Sequence, residues 1–455
     1  MVSGYIEEDA RRVHSPQPLR EIVSMFRMLM RETVACSVIL PVLYAVGLTL
    51  VVNAPAAAQF GPYDSTLNYE QTRDENPITD LFEKVRAGEV QLEYDPHYGY
   101  LRSLLDELKI PVSSQSLVYS KTSLQAGRIS PQNPRAIYFN DDVYIGWVQG
   151  SALLEISTTD PRLGAAFYTM RMRPERVHFQ RENNRCLACH YIPMTQGVPG
   201  HAIRSVLTKE TGRINSLERS FVTDHTSRFA DRWGGWYVTG NVGAMQHMGN
   251  AFLEGEELVP FGENNRANLE ADFDTSRWLS PHSDIVALMV MEHQTQMQNT
   301  FTRANLDVRR AALEAATEEN ADSNIDQVIQ QAAEQIVSYL LFSGEAPIEA
   351  EIKGSSTYVA DFGRMGSRTK DGRSLRDFDL KTRLFRYPCS YLIDSAAFES
   401  LEPPLKAQVY KQLWDVLTNP AADDDYAHID APSRTAILSI LSETKADLPS
   451  YWHKS

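Results

Sequence analysis

The sequence predicts an α+β fold: a strand-rich N-terminal part, a loop-rich middle and an α-helical C-terminal part. Between Ser116 and Met170, short β-branched and aromatic runs alternate with turn residues. Residues 193–250 are rich in glycine and aromatics but show no sustained period. From Ser283 onward, apolar residues return at helical spacing.

In chain order, residues 1–58 read as a leader, 59–80 as an extended arm and 81–180 as a mixed α/β part with antiparallel strands. Residues 181–280 are the loop-rich segment and 281–455 the helical part. In the leader, Arg27 and Arg31 precede the uncharged run Val34–Val52, and Ala56-Ala57-Ala58 before Gln59 has the small residues of a signal-peptide cleavage site. Met25 or Met28 is an alternative start. The rival reading is an uncleaved anchor, since the uncharged run is long enough to span a bilayer. Both readings export residues 59 onward, to the periplasm or medium in the first case and facing the periplasm from the membrane in the second.

Short amphipathic helices are predicted at Leu81–Arg86 and Tyr98–Leu108, then strands at Ser116–Leu124, Ala136–Phe139, Val143–Gln149, Ala152–Ser157 and Ala165–Met170. A long helix is predicted from Ser283 to Ala316, started by Ser280-Pro281, with Met289, His293, Met297 and Phe301 forming an apolar stripe. Further helices are expected at Ile325–Phe342, Tyr391–Phe398, Pro404–Leu417 and Pro432–Thr444, with a glycine-rich connection over Gly344–Arg373.

The formal net charge is −15. The leader carries five basic and five acidic side chains, so its removal leaves that charge unchanged. An acidic balance argues against nucleic acid, which needs phosphate-neutralising Lys and Arg. It suits a redox partner protein with a basic docking face. Of the four cysteines, Cys389 stands in an apolar run and reads as a buried free thiol.

Chemistry concentrates in Cys186-Leu187-Ala188-Cys189-His190. Two cysteines three apart and an adjacent histidine match the attachment pattern of c-type haem, both thiols forming thioethers and the histidine serving as proximal iron ligand. The pattern occurs once, so one covalent haem c per chain is expected. A structural zinc site needs a second close ligand pair, and a thioredoxin-like redox pair needs a βαβ setting; neither is visible around this motif.

The sixth iron position is filled by Met or His in electron-transfer proteins and left open in ligand-binding ones. The distal candidates, in order, are His247, His293 and Met248. His247 and Met248 follow a glycine-rich loop, and His293 lies on the long helix. Met194 follows the motif too closely to cross to the other face, His201 could turn back behind Gly197-Val-Pro-Gly200, and His225 stands in a turn-like context that favours exposure. Arg204 and Arg232 are candidates for the haem propionates. Trp233, Trp236 and Tyr237, in Arg232-Trp-Gly-Gly-Trp-Tyr-Val-Thr-Gly240, are candidate walls of an apolar pocket, its glycines permitting close backbone approach.

With CLACH, GVPG and RSV, then RWGGWYVTG, QHMGN, PHSDIVALMVMEHQTQ, RLFRYPCSYLI and LPSYW, the chain resembles a family of large exported bacterial single-haem proteins described as cytochrome c domain-containing. The likeness spans most of residues 150–452. It implies haem at Cys186 and Cys189, iron ligation by His190 and electron transfer as a generic role, with no established reaction. In the resembled proteins the place of His201 is apolar, whereas His247 and His293 fall inside matching motifs.

The expected function is that of an exported mono-haem c-type cytochrome carrying electrons. The alternative is a peroxidase-like haem enzyme or small-ligand binder with an open distal site, in which His225, His247 or His293 acts as acid or base. A third possibility is a structural haem, with the strand-rich part binding a partner or glycan.

Overall fold

Helix formation begins at Pro77, four residues before the apolar pattern predicts, because Asn76 caps it. The Asn76 side chain accepts from the amides of Ile78 and Thr79, the Thr79 hydroxyl accepts from the Asn76 amide, and Gly88 at φ 76° ends helix α1 (Pro77–Ala87). Helix α2 (Leu101–Glu107) follows. Both belong to a computed structural model that describes residues 66–215, 220–317, 322–419 and 424–453; the leader and the start of the arm, residues 1–65, lie outside the described residues. Residues Phe60–Ser455 form one unit, so the strand-rich, loop-rich and helical regions share a single body.

Six strands then pair antiparallel in chain order: β1 (Ser116–Val118), β2 (Arg135–Phe139), β3 (Val143–Val148), β4 (Leu153–Asp160), β5 (Gly164–Arg171) and β6 (His178–Arg181). The meander agrees with the alternation in the sequence. β6 went unnoticed, since its polar residues pair along an edge, and β1 is shorter than predicted. Side chains alternate across the sheet. Ala136, Tyr138, Ile145, Trp147, Leu154, Ala166, Tyr168 and Met170 bury one face against α1 and α2. The opposite face carries Arg135, Ile137, Tyr144, Gly146, Glu155, Ser157, Phe167 and Thr169, and this face borders a cavity.

Helix α3 (Asn184–His190) carries the CLACH motif directly after β6. Short pairs follow in the loop-rich segment: β7 (Arg204–Val206) with β8 (Ser220–Val222), and β10 (Ala251–Glu254) with β11 (Glu257–Pro260), while β9 (Gly240–Asn241) pairs with the distant β12 (Lys353–Gly354).

The helical part comprises α4 (Ile285–Thr317), α5 (Asp322–Leu340), α6 (Tyr358–Arg364), α7 (Ala396–Glu399), α8 (Pro403–Thr418) and α9 (Ala431–Thr444). The sequence missed α6, inside the glycine-rich connection. Asp284, and not Ser280, starts α4: its Oδ1 accepts from the Val286 amide at 2.8 Å, and its Oδ2 accepts from the amide and hydroxyl of Ser356, both at 2.7 Å.

Every residue of α4 from Ile285 to Phe301 is buried, so its first half is enclosed on all sides where a stripe was expected. Buried amides there must find partners. Gln294 Nε2 donates to the Asn140 carbonyl and Gln298 Nε2 to the Asp141 carbonyl, each at 2.7 Å, tying the helix to the β2–β3 turn. Among the described residues no helix is long and apolar enough to cross a membrane.

Candidate haem-binding site

Helix α3 places Leu187 and Tyr191 in a small apolar cluster with Leu67, Tyr69, Ala165 and Phe167, anchoring the motif to β5. Cys186 is partly buried at the cavity, Cys189 is exposed, and both are free thiols. Burial, with Glu182 adding to it, pushes the Cys186 thiol up to about 12, so it is protonated and a poor nucleophile at neutral pH.

His190 is fixed by one hydrogen bond. Its Nδ1 lies 2.9 Å from the Gly200 carbonyl oxygen, and since a carbonyl only accepts, Nδ1 carries the proton. The Nε2 lone pair is then left for a metal, the arrangement in which a backbone carbonyl orients a ligating imidazole. The Phe167 ring packs 4.7 Å from the imidazole, and burial lowers the histidine's pKa, favouring the neutral form that ligates.

The cavity beside the motif has a volume of about 120 Å³, and its lining includes Cys186, His190, His201, Ile137, Ile203 and Met291. That volume is below the usual range of small-molecule sites, about 300–1,000 Å³, so the opening as it stands does not enclose a whole porphyrin. A thiol and a correctly protonated imidazole, the donor types of c-type haem attachment, share this opening with apolar side chains and with the charged pair Arg135 and Glu155. Among the described residues no three His, Cys, Asp or Glu side chains converge to hold a metal ion.

The distal candidates are elsewhere. His293 engages both ring nitrogens, Nδ1 with His225 Nδ1 at 3.0 Å and Nε2 with Ser390 Oγ at 2.7 Å. His247 Nδ1 accepts from the Gly249 amide at 3.1 Å, which puts its proton on Nε2, and its ring packs against Trp233. Met248 accepts a hydrogen bond from Ser205 Oγ at 3.8 Å. None of the three lines the cavity. His225, expected at the surface, is buried against His293.

The pocket residues divide likewise. Arg204 borders the motif, its burial partly offset by nearby Cys189, and donates to Ser220 Oγ. Arg232 is consumed by the fold: it pairs with buried Glu292 at 3.3 Å and donates to the carbonyls of His225 and Ser227. Trp233 and Trp236 sit in the main core and Tyr237 in the sheet core; none of them walls the cavity. The glycines of this loop serve backbone packing, since a Cβ on Gly234 would lie 2.7 Å from the Val206 carbonyl oxygen.

His201, which the sequence offered as able to turn back and the resemblance put in doubt, does line the cavity; it is buried, and its Nε2 lacks a partner. Asn299 of α4 clamps its backbone, accepting from the His201 amide at 2.9 Å and donating to its carbonyl at 2.7 Å. Burial, reinforced by His190, lowers its pKa to about 3. It directly follows the Gly200 carbonyl that holds His190, and its ring packs 4.6 Å from that of Tyr144 on the cavity face of the sheet.

Arg135, Glu155, Phe167 and Met291 also line the cavity without having been singled out. Gly146, a glycine in mid-strand, was the one signal in the sequence, because such a residue marks close approach of another group. The Arg135 guanidinium occupies the space its side chain would take. Cys389 is buried, as its apolar surroundings suggested. Compared with models of protein families, with curated proteins and with solved structures, the chain finds no match.

Proposed function

We propose that this chain is an exported mono-haem c-type cytochrome, with haem c held by Cys186 and Cys189 and its iron ligated by His190. The observation that carries the reading is the Nδ1 bond from His190 to the Gly200 carbonyl, which presents an unengaged Nε2 at a cavity shared with Cys186. Each thiol would add across a vinyl group, the sulfur bonding one carbon and the hydrogen passing to the other, so no atoms are lost. The bound haem supplies a one-electron centre, taking an electron from a donor and passing it to a partner protein. The exposed Cys189 marks the edge of the motif nearest solvent. The resemblance of the flanking motifs supports the same reading, and the leader supports delivery to the periplasm.

Expression with a c-type maturation system tests it. The expected product is red, begins near Gln59 and weighs its polypeptide plus one haem, while Cys186→Ala with Cys189→Ala yields colourless protein. Colourless wild-type protein of bare polypeptide mass would defeat the reading.

A second reading, an open iron site that binds small ligands, is favoured by one observation: His247, His293 and Met248 all have other partners away from the cavity.

A further inference from the structure

The sheet face that borders the cavity continues along β5 and β6 into a groove of different character. Strand register sets Gln180 opposite Thr169 and His178 opposite Arg171. Side chains two apart, and those directly opposite, share a face, so Arg171, His178 and Gln180 stand on the same side as Phe167 and Thr169. Arg171 is four residues along β5 from Phe167, which packs on His190, a separation of about 13 Å at about 3.3 Å per residue. With Arg173, Glu175 and Arg176 of the β5–β6 turn, these three line a groove of about 480 Å³. Every one of the lining residues is polar.

Arg171, Arg173 and Arg176 are exposed, and among the described residues none of them enters an ion pair. Three guanidinium groups meet one carboxylate, Glu175, so the groove is net positive on a chain whose formal net charge is −15. The acids nearer the motif are already engaged: Glu182 accepts from Thr169 Oγ1 at 2.8 Å, and Glu155 pairs with Arg135 at 2.7 Å. Like charges held together repel, and a bound anion relieves that repulsion. The groove lies along an edge, since β6 is the last strand of the sheet. Charge on an edge strand also deters pairing with other sheets, but a guard of that kind has no need of a concave lining.

Guanidinium groups pair with carboxylates and phosphates alike. A membrane or a nucleic-acid duplex is broad and would press its negative charge against the chain's own acidic surface, whereas a short extended segment can enter the groove alone. The overall charge of the chain favours a basic partner; this surface favours the reverse. We propose that the groove docks an acidic segment of a partner protein, its Asp and Glu carboxylates pairing with Arg171, Arg173 and Arg176. The site goes beyond the haem reading and belongs to the polypeptide with or without the cofactor.

Titration of the full chain with a fluorescent octaglutamate peptide tests the proposal. It is read on the protein as isolated, coloured or colourless, so failure of the haem reading leaves the result intact. Saturable binding at low salt is expected, lost near about 1 M salt, where the Debye length is about 3 Å. Arg173→Glu with Arg176→Glu should weaken binding by about tenfold or more and, both residues being exposed, leave thermal unfolding unchanged. Arg173→Gln with Arg176→Gln, which removes charge without reversing it, should fall between. Lys370→Glu with Lys381→Glu, an equal change of net charge on exposed residues of the helical part, should stay within about twofold of wild type. Equal loss in both charge-reversed proteins would reduce the effect to net charge and overturn the proposal. So would the absence of binding, or a preference for phosphatidylglycerol vesicles over the peptide.

Discussion

His190 Nδ1 donates to the Gly200 carbonyl across a loop of ten residues, at 2.9 Å. The His190 imidazole is therefore set by the path of residues 191–200, and that path is held from α4 by Asn299 through the backbone of His201. The long helix and the motif are thus coupled through one amide side chain.

Asn299→Ala should leave the His201 amide and carbonyl without their partners in a buried setting. Unsatisfied groups of this kind cost about 1–3 kcal/mol each. A loss of about 2–4 kcal/mol in urea unfolding is expected. Wild-type stability in the variant would show that the clamp is dispensable.

Breaking the Arg232–Glu292 pair should be severe from either side. Their side chains are 3% and 0% exposed, so removing one partner strands a buried charge. Burial already pushes the Glu292 carboxyl up to about 7, with Arg232 pulling the other way. Arg232→Met should cost about 3–5 kcal/mol, and Arg232→Met with Glu292→Leu should recover part of it. A double variant as unstable as the sum of the singles would argue that the two do not act as a pair.

His247 should contribute to acid lability. Burial depresses its pKa to about 4, below the ordinary 6.5, so between these values the unfolded chain binds a proton that the folded chain does not. Stability from this group is present above pH 6.5 and is lost as pH falls from there towards 4. His247→Phe should therefore flatten the decline between pH 7 and pH 5 by about 2 kcal/mol. Parallel stability curves for variant and wild type would contradict the assignment.

Gly146→Ala probes the Arg135 position without removing charge. The added methyl would enter the space of the Arg135 guanidinium, so the side chain must move. Overpacking of this kind costs about 1–3 kcal/mol, and thermal unfolding measures it. An alanine variant as stable as wild type would mean that Arg135 is free to swing aside.

The sheet was largely legible because alternating side chains and turn residues act locally: the predicted strands around Ala136–Phe139, Val143–Gln149, Ala152–Ser157 and Ala165–Met170 match β2 to β5 within a few residues. The polar residues of α4 misled for the opposite reason. Gln294, Gln298 and Asn299 lie outside the stripe the sequence predicted, yet they are buried and bonded to backbone groups distant in sequence. Likewise, nothing in the order of residues says that Arg232 is spent on Glu292 or that His293 spends both nitrogens on His225 and Ser390.

By itself the sequence determined the α+β order of elements and the CLACH motif with its one histidine. Both are matters of residue type and short spacing, and short-range sterics act on those directly. Tertiary structure decided which residues share an opening with that motif: His201, Met291, Arg135 and Glu155 line it, and His247, His293 and Met248 do not. The physical reason is that a side chain's neighbours across the chain depend on strand register and helix packing, which settle only when the whole core closes.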